Sequence, residues 1–91
     1  MSKKKIETST GFKLAIDIDF GDDMELFEEL VEMEKGNATA LPGVVAKILG
    51  EKDKKRLYDH VRDEKGKVKI TAVEKEIVEI FEALGEKEKK S

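Results

Sequence analysis

Apolar positions along this chain change period once, and the change divides it into a short extended part and a longer helical part. Phe12, Leu14, Ile16 and Ile18 alternate with Lys13, Ala15, Asp17 and Asp19. That is the period of a half-buried strand. A strand needs a partner for its backbone groups. Three partners are open: Lys4 to Thr8 across the Ser9-Thr10-Gly11 turn signal, Val68 to Ile70, or the sheet edge of a second copy.

From Met24 onward the spacing is helical. Helix one is expected to start at Asp22 or Asp23, since Asp22 and Glu25 have the spacing of a capping box. It closes at Lys35-Gly36-Asn37, with Gly36 just past the end. Met24, Phe27 and Val31, with Leu26, Leu30 and Met33, form a wide apolar stripe, and Glu28, Glu29 and Glu32 take the other face. Helix two is expected over Ala40 to Leu49, capped by Asn37 or Thr39, with Pro42 tolerated in the first turn. Its Leu41, Val44, Val45, Ile48 and Leu49 match a core-facing stripe throughout.

Gly50 should end helix two, and helix three should run from Lys52 to Arg62 with Leu57, Tyr58 and Val61 inward. After a loop over Asp63 to Lys67, helix four starts at Thr71, whose spacing from Glu74 again suits a capping box. It buries Val73, Ile77, Ile80, Phe81 and Leu84 and stops at Gly85. Residues 1–9, apart from some extension around Ile6, and 86–91 are expected to fray. The expected fold is therefore mainly α within the α+β class. Four short helices pack in one small core with an N-terminal β-strand or hairpin, and residues 1–91 form a single domain. Leu41 to Val61 should supply much of that core, with Leu41, Val44, Val45, Ile48 and Leu57 the costly positions to truncate.

Composition changes this picture in one respect. Charged residues are 43% of the 91, well above the usual ~25%. The signs nearly balance, 18 basic against 21 acidic, so this is not the high-net-charge signature of disorder. Distribution matters more than the total. Asp17 to Glu34 holds nine acids and no base, whereas Glu51 to Ile70 holds eight bases and five acids. Either these are solvated helix faces, or the two segments attract each other or face different partners. There is no cysteine, which excludes disulfides and thiolate chemistry. No apolar run reaches the ~18 residues of a membrane span, and the N-terminal lysines precede no signal-peptide core. A cytoplasmic location is expected.

Catalytic and metal-binding patterns fail on inspection. Asp17, Asp19, Gly21, Asp22 and Glu28 faintly follow a calcium loop, but Gly21 falls one place before the position where the sharp turn requires glycine. His60 is the only histidine. Without cysteine or a second histidine, zinc would need three carboxylates around it, a poor set for that metal. Tyr58, Asp59 and His60 are consecutive, so on a helix they point apart. No glycine-rich phosphate loop occurs. No catalytic, cofactor or metal residue is therefore expected, and no enzyme. Lys52, Lys54, Lys55 and Arg56 on a helix pair joined at Gly50 suggest a DNA reader. Asp53 and Asp59 interrupt that face, however, and the net charge is −3, so nucleic acid is not the expected partner. Protein binding remains. A wide apolar stripe beside a dense acidic face leaves a docking surface wherever the core does not cover it.

The runs ETSTGF (residues 7–12), DDMEL (22–26), LPGVVAKILG (41–50), LYDHVR (57–62) and EIVEIFEALGE (76–86) resemble a family of small proteins from tailed phages and prophages of Gram-positive bacteria, the tail assembly chaperones. The resemblance implies a non-enzymatic factor of the host cytoplasm, absent from the mature virion. It implies binding to the tape measure protein, to tail tube subunits, or to both. Many members of the family occur in short and frameshifted long forms, and this chain would correspond to the short one. Helices one and four would offer the binding surface, through Met24, Phe27, Val31, Ile77 and Phe81. The rival expectation is a small helical adaptor or regulator, such as an inhibitor of a host protein. Self-association is open in either case, because a short strand leaves an edge.

Overall fold

The alternating segment pairs with its nearest candidate. Lys3–Glu7 (β1) and Lys13–Asp17 (β2) form a two-stranded antiparallel hairpin, in a computed structural model that describes residues 3–17 and 23–89. Register places Ile6 opposite Leu14 on the inner face, and Lys3 opposite Asp17 and Glu7 opposite Lys13 on the outer one. Opposite charges across an antiparallel pair favour this register. The terminal segment expected to fray is thus a paired strand from Lys3 onward. Burial of Ile6 and a hydrogen bond from Lys4 Nζ to Ala83 O (2.8 Å) hold it down. Val68 and Lys69 lie outside any strand and Ile70 starts a helix. Ile18, Asp19, Gly21 and Asp22, with the capping box and calcium-loop readings that used them, lie outside the described residues.

Three α-helices follow among the described residues, not four. Met24–Glu34 (α1) is capped by Asp23, whose Oδ1 accepts a hydrogen bond from Leu26 N at 3.1 Å. The chain then turns at Gly36, where φ is +103°. A short 3₁₀ turn, Ala38–Ala40, leads directly into Leu41–Val61 (α2), with no side-chain cap from Asn37. The two central helices expected from the sequence run on without a linker as one kinked element, α2, and the break between them falls at Gly50, where it was expected. Gly50 interrupts α2 with φ 75° and ψ 174°, so a single residue absorbs the break and no loop separates the halves.

Ile70–Lys89 (α3) begins one residue before Thr71, with Lys69 O accepting from both Ala72 N and Val73 N. It runs through Gly85. A helical glycine costs about 1 kcal/mol relative to alanine but keeps its backbone hydrogen bond, so it need not end the helix. No helix among the described residues is long and apolar enough to cross a membrane.

The core lies where the inner face of the hairpin meets the three helices. Ile6, Leu14 and Ile16 come from the strands, Leu26, Leu30 and Met33 from α1, and Ile77 and Ile80 from α3. From α2, Leu41, Val44, Val45, Ile48 and Leu57 are all buried, as their spacing required. A lone hairpin is marginal in water. This one is stable because α2 and α3 cover its apolar side.

Candidate protein-binding surface

The five residues expected at the binding surface divide between surface and core. Met24 is 66% exposed and Phe27 46% exposed, while Val31 and Phe81 are half-buried. Ile77 is fully buried. It belongs to the core and cannot meet a partner in this fold. On a helix, Phe81 lies four residues from Ile77 and off the centre of the buried stripe, which explains why the pair divide. Phe27 and Phe81 bring α1 and α3 together, with ring centroids 6.2 Å apart and planes tilted by 37°. Helical spacing adds Val78, half-buried, and Ile70, 60% exposed, to the side of α3 that carries Phe81. The result is an apolar ridge along the α1–α3 seam.

Glutamates lie on both sides of α1: Glu34 faces α3, whereas Glu25, Glu28, Glu29 and Glu32 share a groove with Lys47 of α2. All five charged residues of α1 are acidic: Glu25, Glu28, Glu29, Glu32 and Glu34. Lys47 pairs with Glu29 (3.2 Å) and Lys35 with Glu32 (3.7 Å). Farther along the seam, Glu34 and α3 enclose a shallow groove of about 560 Å³ that Thr71, Glu74, Lys75, Val78 and Glu79 also line. The basic segment is arranged differently. Lys54 and Arg56 on α2, and Arg62 just past its end, each pair with an acid three residues earlier, Glu51, Asp53 and Asp59, so their charge is largely compensated locally.

A second cluster was not evident from the sequence. Thr10 Oγ1 lies 2.7 Å from Glu76 Oε2, 2.9 Å from His60 Nε2 and 3.1 Å from Thr8 Oγ1. The single Thr10 hydroxyl hydrogen goes to the carboxylate. His60 Nε2 and the Thr8 hydroxyl must therefore donate to Thr10, while Thr8 accepts from Phe12 N at 3.2 Å. Beside it, Ser9 donates through its backbone N and its Oγ to the two oxygens of Glu79, both at 2.7 Å. Arg56 donates to Lys13 O (2.7 Å) and stacks over Phe12, whose ring also meets His60 at 5.3 Å.

This cluster is a clamp that fixes the hairpin turn to α2 and α3. It lacks the order of a catalytic triad, since the hydroxyl proton is directed to a buried carboxylate and the histidine donates. Thr10 is 50 and 66 positions from its partners. The one sequence signal was Glu76 itself, three residues after Val73 and four before Ile80, at the margin of an apolar stripe. Thr10→Val should lower stability by about 1 kcal/mol through the lost hydrogen bond, read in a denaturant titration. Thr10→Ser should retain it.

Two carboxylates are tuned by the hydrogen bonds they accept. Asp63 Oδ1 accepts from Lys67 N and Lys65 N, both at 2.9 Å. The bond from Lys67 is the largest cause holding its pKa below the usual aspartate value. The Ser9 hydroxyl, then its backbone N–H, lowers Glu79 likewise. Depressed carboxylate values in the fold mean stability that is fully present above the unfolded values, about 3.9 for Asp and 4.3 for Glu, and lost as pH falls through the folded ones. Glu79→Gln should therefore flatten the acid limb of stability measured from about pH 6 to pH 3.

Among the described residues, no three of His, Asp and Glu converge as a metal site. No family model, curated protein or solved structure matches this chain.

Proposed function

We propose that this protein is a non-catalytic assembly chaperone that holds an aggregation-prone helical segment of a client on the α1–α3 ridge. The observation carrying the binding role is that ridge: Met24, Phe27 and Ile70 are large, apolar and exposed, while the rest of a well-filled core is closed. Exposed apolar side chains interleaved with charge suit a surface that must bind a client and remain soluble without one. The resemblance to tail assembly chaperones supplies the client class, the tape measure protein and the tail tube subunits of a tailed phage. The site of action would then be the host cytoplasm, before tube polymerisation.

Co-expression with a tailed-phage tape measure protein tests the role. The client should move into the soluble fraction with the native chain and fall back with Met24→Ser/Phe27→Ser, exposed changes that leave the core intact. A client equally soluble with and without the chain ends the proposal.

A further inference from the structure

We infer that the segment taken up on this ridge is a basic amphipathic helix, with its apolar side on Met24, Phe27 and Phe81 and its lysines or arginines over the flanking glutamates. The inference rests on the client-binding reading above and specifies the ligand.

The shape of the seam favours a helix. Phe27 meets Phe81, and seven residues on, Glu34 shares a groove with Thr71, Glu74 and Val78. The two helices therefore run in opposite directions along a seam of about 10 Å, two helical turns. The seam offers side chains and no free sheet edge, so an extended segment would leave its backbone groups unpaired there, whereas a helix satisfies its own. Anchors at i, i+3 or i+4 and i+7 would span the two turns.

Charge selects among helices. Glu34 and Glu74, which line the seam groove, make no ion pair among the described residues, and neither do Glu82 or, on the α2 side of α1, Glu25 and Glu28. Lys35 and Lys47 are already paired with Glu32 and Glu29, which leaves Lys75 as the cation lining the groove. A second copy docking by two-fold symmetry would set glutamate against glutamate across the interface, and an acidic helix would meet the same repulsion. A basic helix relieves it, and its charges steer and orient the contact.

Three synthetic helical peptides test this, identical on the apolar side and carrying lysine, glutamine or glutamate on the polar side. Each is titrated against the whole chain by calorimetry. The lysine peptide should bind at least about tenfold tighter than the glutamine peptide, and the glutamate peptide should not bind. The lysine peptide's affinity should fall between about 0.05 and 0.5 M salt. Phe27→Ser should abolish binding. The Glu28→Gln/Glu34→Gln/Glu74→Gln variant should weaken only the lysine peptide, at unchanged thermal midpoint.

Equal binding of the lysine and glutamine peptides overturns the inference and leaves the chaperone reading intact. Binding of none of them, with the client still solubilised in co-expression, does the same. Binding of the lysine peptide with a client that stays insoluble overturns the chaperone reading alone. A dimer in light scattering that Phe27→Ser dissolves makes a second copy the occupant, and the inference fails.

Discussion

Leu57→Ala should lower the thermal midpoint by about 10 °C or more. Leu57 is completely buried in the second half of α2, the half that meets the hairpin through Arg56 and His60. Truncating a buried leucine removes its transfer free energy and leaves a cavity, together about 2–5 kcal/mol. A domain this small holds on the order of 5–10 kcal/mol in all, so one side chain carries a large share. Ile48→Ala, in the first half and 4% exposed, should fall in the same range. Met24→Ala is the control. At 66% exposure it should change stability by no more than about 0.5 kcal/mol. If Leu57→Ala and Met24→Ala cost the same, core and working surface have been exchanged. Chemical denaturation at equal slope would read all three.

Gly50→Ala should cost about 1–3 kcal/mol although the added methyl meets nothing. No atom lies within 4 Å of a Cβ built there, so the whole penalty is conformational. With φ 75° and ψ 174°, Gly50 occupies a region that essentially only glycine visits. Alanine must either bear that strain or straighten α2, and a straight α2 would move Leu57 out of register with Val44, Val45 and Ile48. The mirror image of this conformation, near φ −75° and ψ −174°, is ordinary extended backbone for an L-residue. D-Alanine at position 50, introduced by chemical synthesis, should therefore be tolerated where L-alanine is not. Equal stability of the two would show that α2 has no need of the break.

Most of the local structure was legible because it depends on near neighbours. Two-residue alternation placed Phe12, Leu14 and Ile16 on one face, and the spacing of Leu41, Val44, Val45 and Ile48 put them inside. A helix start at Asp22 or Asp23 was also legible, since a capping carboxylate reaches only the first turn. A misreading came where a local rule allows two outcomes. Gly50 and Gly85 looked alike as helix stops, and only Gly50 breaks its helix. Gly50 carries a positive φ at a break inside one element, whereas α3 continues through Gly85 to Lys89. Glycine permits a break without requiring one, and the packing on either side decides.

The candidate surface shows the same limit. Apolar spacing on α1 and α3 identified residues that must leave water or meet a partner, but not which of the two. Ile77 and Phe81 fit the same helical pattern, yet Ile77 is closed off and Phe81 is left half-open against Phe27. The clamp of Thr10, His60 and Glu76 was beyond sequence reasoning altogether, because Thr10 is 50 residues or more from both of its partners. Hydrogen-bonding side chains carry no period that marks their distant mates. The sequence by itself determined the apolar faces of the helices and of β2 and the acidic character of α1, all of them properties of residues a few positions apart. Only the tertiary structure decided the strand partner, which apolar stripe was completely covered and which polar groups met. Those outcomes depend on how faces compete for a core too small to bury them all.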